Sequence, residues 1–212
     1  MTAIRLSPET DMLLIVDVQN DFCPSGALAV PGGDEVVPLV NRIAQAFAHV
    51  ALTQDWHPPG HASFASSHPG RKPNDVIMAA YGEQVLWPDH CVQGTWGAAF
   101  HPDLDVAPAE LILRKGSRRG IDSYSAFFEN DRQTPTGLGG YLRERGFGRI
   151  VMAGLAFDFC VRWSAEHARR LGFEVVVLED ACRSIDIAGS AAAARSALAA
   201  VGAACARSEQ LA

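Results

Sequence analysis

The chain lacks three things that would each have pointed to a different class of protein. Its longest apolar runs fall far short of the ~20 residues that a membrane-spanning helix requires. It has no basic excess: 18 Lys and Arg stand against 24 Asp and Glu, a net charge of -6, which leaves no electrostatic footprint for nucleic acid. It has no paired cysteine pattern: the five cysteines (23, 91, 160, 182 and 205) are scattered and odd in number, so a disulfide framework is not expected. The opening Met1–Pro8 stretch has no apolar core of a secretion signal, and the expected setting is a reducing cytoplasm, with neither membrane nor nucleic acid as partner.

What is present reads as a globular α/β chain. Its 212 residues, 48% hydrophobic and 20% charged, suit one well-buried domain spanning 1–212. Apolar runs at 12–17, 50–53, 110–115, 150–153 and 174–178 read as strands, with a short edge strand at 203–206. Helical spacing is found over 35–48, 137–145, 158–171 and 187–201. Strands that alternate with helices predict a doubly wound, mainly parallel six-stranded sheet with helices on both faces. Two stretches, 54–105 and 116–135, show little periodicity and read as functional loops. In such sheets ligands bind beyond the carboxyl ends of the strands. Asp17, Asp55, Lys115 and the turn before Cys160 all lie at such ends.

Cys160 falls in the first turn of the predicted 158–171 helix, where unpaired N–H groups and the helix dipole favour a thiolate. The expected consequence is a thiol of lowered pKa. A carboxylate at Asp17 can accept the thiol proton and pass it to a leaving amine. An ammonium at Lys115 would stabilise the thiolate and hold the acid. Backbone amides of Ala156 and Cys160 are candidates for an oxyanion hole. Taken singly, Asp17 and Lys115 read by default as a capping acid and a solvated lysine, so the case rests on their convergence. Asp55, His57 and His90 form a three-donor set with room for water that suits Zn²⁺, Fe²⁺ or Mn²⁺, although the same loop also reads as a polar surface segment. The aromatic residues Phe22, Trp87, Trp96 and Tyr124 flank these loops and are candidates for a pocket around a flat ring.

Nearly end to end, the chain resembles the isochorismatase-like cysteine hydrolases, and within them the nicotinamidases and pyrazinamidases. The resemblance rests on Asp17-Val-Gln-Asn-Asp-Phe22, Asp55-Trp-His57-Pro-Pro-Gly-His61-Ala-Ser-Phe64 and Trp87-Pro-Asp-His90-Cys-Val-Gln-Gly-Thr95. Lys115-Gly116, Tyr124-Ser-Ala-Phe-Phe128 and Gly154-Leu-Ala-Phe-Asp-Phe-Cys160-Val161 complete it. It implies Asp17, Lys115 and Cys160 as a catalytic triad and Ala156 at an oxyanion hole preceded by a cis peptide. It implies Asp55, His57 and His90 as ligands of one divalent metal ion, Zn²⁺ ahead of Fe²⁺ or Mn²⁺, with His61 either a ligand or just outside. Phe22 and Trp87 would sandwich a pyridine ring, and Tyr124 would line its pocket. The implied reaction is hydrolysis of the small molecule nicotinamide to nicotinate and ammonia for NAD salvage, with pyrazinamide as a second substrate; a homodimer is left open. The alternative is another cysteine amidohydrolase of the same superfamily, of N-carbamoylsarcosine or ureidoacrylate type. Phe157 departs from the pattern, since similar sequences carry a smaller residue there, often Thr. It is expected to narrow or reshape the pocket rim.

Overall fold

The computed structural model describes residues 3–212; Met1 and Thr2, part of the opening stretch read for a leader, lie outside the described residues. The elements run β1 (Asp11–Val16), α1 (Val37–Ala44), β2 (Val50–Asp55), β3 (Val76–Ala79), β4 (Gly82–Val85), β5 (Ala109–Lys115) and α2 (Leu138–Glu144). They continue with β6 (Arg149–Leu155), α3 (Arg162–Arg170), β7 (Glu174–Arg183), α4 (Ser190–Ala200) and β8 (Ala204–Ala206). Six strands form one sheet in the order β5-β2-β1-β6-β7-β8, and every neighbouring pair is parallel. The fold is the expected doubly wound α/β sheet, and its strand order reverses between β1 and β6.

A parallel sheet covered on both faces buries every position of its central strands. All six residues of β1 are buried, with Leu13 and Ile15 in the core layer that includes α1 and Met12, Leu14 and Val16 in the layer that includes α2, α3 and α4. Gly154 marks the reversal point: its φ is +117°, and a Cβ there would collide with the Val16 carbonyl. Only glycine lets β6 approach β1 that closely.

Three local readings differ from the expectation. The 54–105 stretch is not wholly irregular, because β3 and β4 pair antiparallel across Ala79 and Gly82. The first helix is shorter than 35–48: a 3-10 turn covers Gly33–Val36 and Pro38 sits at the start of α1, where its missing N–H and fixed φ are tolerated. The third helix is preceded by a π-helical turn, Phe157–Val161. Among the described residues no helix is long and apolar enough to cross a membrane, and all five cysteines are free.

His167 on α3 is buried, and neither ring nitrogen has a hydrogen-bond partner. Burial pushes its imidazole down to about 4, whereas the unfolded chain protonates near the ordinary ~6.5. The unfolded state therefore takes up the proton first, so stability is full above that value and is lost as pH falls toward 4. From pH 7.5 to pH 5 this group alone is expected to cost about 2 kcal/mol. Thermal melts should show a smaller acid deficit in His167→Phe, and an equal deficit in both proteins would contradict this.

Candidate active site

Four strand ends meet at the carboxyl edge of the sheet, on both sides of the reversal point. Asp17 directly follows β1 with φ of +49°, a left-handed conformation that Asp tolerates better than most residues. Asp55 ends β2 and Lys115 ends β5, and their backbones are paired in register. Beyond β6, the cis Leu155–Ala156 peptide leads into the π-helical turn that carries Cys160.

The Lys115 ammonium is fully buried and unites the group. It stands 2.8 Å from Asp17 Oδ2 and 3.0 Å from Asp55 Oδ1. It also donates to the Ser123 carbonyl at 2.9 Å and lies 3.5 Å from Cys160 Sγ. Burial opposes its charge, but the two carboxylates outweigh that and hold it well above the usual lysine value. Thr53 donates its hydroxyl to Asp17 Oδ1 at 2.5 Å and accepts the Asp17 N–H at 3.1 Å. That leaves Oδ2 as the oxygen on the lysine side.

The thiol does not behave as its place in a helical first turn suggested. Burial raises Cys160 well above the ordinary thiol value, and the nearby Asp17 and Asp55 charges add to this, while Lys115 only partly offsets it. Burial likewise raises Asp17, against the pull of Lys115. Desolvation and two carboxylates outweigh the helix end, so the sulfur is less acidic than an ordinary thiol.

Beside this group, Asp55 Oδ2 lies 3.0 Å from His57 Nε2 and 3.5 Å from His90 Nε2. All three side chains are buried, with their donor atoms within 4.8 Å of one another. His57 Nδ1 pairs with the Gly116 carbonyl at 2.9 Å and His90 Nδ1 with the Pro88 carbonyl at 2.8 Å. A carbonyl accepts only from N–H, so each ring turns an unprotonated Nε2 toward Asp55 when neutral, which is the arrangement of metal-binding imidazoles. Gly116 allows the approach: its φ is +65°, and a Cβ there would stand 2.5 Å from the His57 ring. Burial works against charge on His57, but Asp55 prevails and lifts the imidazole to about 9. The donor set therefore fits a divalent cation, which would replace a proton. His61 is occupied elsewhere, with Nδ1 2.7 Å from the Ser63 hydroxyl and Nε2 near the Arg118 and Ile121 carbonyls at 3.0 and 3.1 Å. It packs against His57 from outside the donor set.

A cavity opens onto the sulfur. Phe22, Trp87, Tyr124, Ala156 and Cys160 line it together with Asp55 and His90, so the expected pocket and metal residues come together. Trp87 Nε1 donates to Tyr124 Oη at 3.0 Å, fixing two walls against each other. Two expectations fail. Trp96 is 63% exposed and does not line the cavity. Phe157 is buried in the helix-covered core layer, with Arg195 over its ring, so it does not shape the rim; Phe159 does, with its ring 5.0 Å from Trp87 and 5.6 Å from Tyr124.

Leu28, Asp122, Phe159 and Ile185 complete the lining and were not foreseen. Nor were two supporting residues. Gln19 clamps the end of β2, accepting the Asp55 N–H at 2.7 Å and donating to its carbonyl at 2.9 Å. Asp21 accepts the Cys91 N–H at 2.7 Å, next to His90. Both lie in the polar run after Asp17, and the buried polar spacing of that run was the available signal.

Comparison with known proteins agrees with this geometry. The isochorismatase domain model matches residues 11–210. A nicotinamidase of Acinetobacter baylyi is 54% identical over 178 residues, covering 84% of this chain and 83% of that protein. A solved nicotinamidase pyrazinamidase of Acinetobacter baumanii superposes with a TM-score of 0.95 at 50% identity, covering 96% of this chain and 99% of its own. The pyrazinamidase of Pyrococcus horikoshii, solved in complex with zinc, has a TM-score of 0.75 at 34% identity, covering 94% and 99%. The chain belongs to the isochorismatase family, and within it to the nicotinamidase branch.

Proposed function

We propose that this protein hydrolyses nicotinamide to nicotinate and ammonia through a thioester on Cys160, and that pyrazinamide is a second substrate. The reading is carried by one observation: a buried thiol lies 3.5 Å from an ammonium that itself holds a carboxylate at 2.8 Å, at the base of an aromatic-walled cavity. Release of nicotinate would place the enzyme in cytoplasmic pyridine nucleotide salvage.

In this reading the pyridine ring lies between Phe22 and Trp87, with Tyr124 at its edge. Asp17 takes the Cys160 proton, and the sulfur attacks the carboxamide carbon. The oxyanion is received by the backbone amides of Ala156 and Cys160. The tetrahedral adduct collapses as Asp17 returns the proton to nitrogen, the C–N bond breaks, and ammonia leaves. Water then attacks the thioester while Asp17 removes its proton; the C–S bond breaks, the sulfur regains the proton and nicotinate departs. Lys115 keeps Asp17 in place and compensates the negative charge as it moves between oxygen and sulfur. Because burial makes the thiol less acidic than usual, the reading places the demand for a base on Asp17.

Asp55, His57 and His90 would hold a divalent ion, with Zn²⁺ ahead of Fe²⁺ or Mn²⁺. When bound, the ion supplies a Lewis acid that anchors an electron-pair donor such as a ring nitrogen. The zinc in the Pyrococcus relative supports the assignment. The test is ammonia release from nicotinamide by purified protein, with its metal content measured in parallel. One divalent ion per chain is expected. Chelation should lower kcat/KM by on the order of 10²-fold, since anchoring of this kind is worth a few kcal/mol, and added Zn²⁺, Fe²⁺ or Mn²⁺ should restore it. A metal-free protein with full, chelator-resistant turnover would contradict the metal assignment.

A further inference from the structure

The turn that presents Cys160 also controls one wall of the cavity. Asp158, two residues before the nucleophile, is 1% exposed, and its carboxylate is given over to the loop that follows β7. Oδ1 accepts the Ile185 N–H at 3.1 Å. Oδ2 accepts the Asp186 N–H at 2.8 Å and the Ser190 hydroxyl at 2.5 Å. Three donors satisfy a buried charge that would otherwise be costly.

The loop needs such a clamp. Asp186 and Ala188 both adopt left-handed backbone, with φ of +56° and +51°, a conformation that residues with a Cβ avoid unless the surroundings hold them in it. At its start is Ile185, which lines the cavity with Phe22, Leu28 and Phe159. Isoleucine is stiff at χ1, and here its own N–H is pinned, so its side chain has little freedom to withdraw from a larger ligand.

We propose that Ile185 is a specificity-determining wall of the cavity, limiting substituents on the ring, and that Asp158 is the positioning residue that holds it there. The inference rests on the amide-hydrolase reading and deepens it. Asp158 thereby ties pocket width to the segment that carries the nucleophile, and it acts on selectivity without touching the substrate.

The experiment compares kcat/KM for nicotinamide, 5-methylnicotinamide and 6-methylnicotinamide in wild type, Ile185→Ala, Asp158→Asn and the double variant. Ile185→Ala should raise the methylated-to-unmethylated ratio about tenfold for at least one isomer, the range a single methyl is worth in an apolar pocket. Asp158→Asn turns an amide N–H₂ against donors and should shift the same ratio in the same direction, with KM for nicotinamide rising more than kcat falls. Because Asp158 acts through Ile185, the double variant should change the ratio no more than the larger single change. If Asp158→Asn does not fold, Ser190→Ala removes one of the three bonds and should give a smaller shift of the same sign. Unchanged ratios in Ile185→Ala overturn the wall. A fall in kcat at constant ratio in the Asp158 or Ser190 variant overturns the positioning role. Wild type inactive on nicotinamide itself would instead end the amidase reading, so the two failures are distinguishable.

Discussion

Cys160→Ala is expected to release no ammonia from nicotinamide above background, a loss of at least ~10⁴-fold in kcat. The remaining four cysteines are absent from the cavity lining, so no other thiol is available to take over. Cys160 is 6% exposed and packs in a core layer, so removing its sulfur leaves a small void worth about 1 kcal/mol. The variant should therefore melt within a few degrees of wild type. Asp17→Asn should lose activity to a similar extent, because a thiol raised well above its ordinary value by burial does not ionise at neutral pH without a base. The two losses should not multiply in the double variant, as is found for residues that act as one unit. A Cys160→Ala protein with measurable turnover would show that the reaction runs without the thioester.

Lys115→Met is expected to cost stability as well as activity, about 3–5 kcal/mol of it, the range found when one partner of a buried ion pair is removed. The ammonium is the cation that stands between Asp17 and Asp55, at 2.8 and 3.0 Å. Without it Asp17 loses the ammonium at 2.8 Å while Asp55 still faces His57 at 3.0 Å, so the burden falls on Asp17, which is relieved by taking up a proton. The folded-state pKa of Asp17, already raised by burial, then rises further above the unfolded value, so the folded protein binds more protons and stability falls as pH increases. The deficit measured by denaturant titration should accordingly be larger at pH 8 than at pH 5. Adding Asp17→Asn removes the stranded charge and should recover part of the loss, a coupling that independent sites would not show. Equal deficits at both pH values would mean that Lys115 contributes packing and not charge.

Much of the fold and site was readable because parallel strands announce themselves. Buried on both faces, β1 and β6 carry long apolar runs and β2 opens on a short one, and the charged residue at a strand's end marks the edge where ligands gather. Asp17, Asp55 and Lys115 were legible on that ground. The acidity of Cys160 was not. A helix terminus is a local feature visible in sequence, whereas the carboxylates and the burial that outweigh it come from strand ends more than a hundred residues away. Phe157 and Phe159 were exchanged for a different reason. With ordinary α-helical spacing, 157 and 160 share a face; the π-helical turn over Phe157–Val161 alters that phase, sending Phe157 into the core and Phe159 to the cavity. The β3–β4 hairpin escaped notice because four-residue strands inside a Pro- and Gly-rich stretch carry almost no periodic signal.

The most direct test of the account is to stop the reaction in acid during turnover of nicotinamide and analyse the digested protein by mass spectrometry. The account predicts one nicotinoyl group on the peptide that contains Cys160, released by hydroxylamine and absent from Cys160→Ala. Steady production of nicotinate and ammonia with no acyl group on that peptide, and with Cys160→Ala still active, would contradict it.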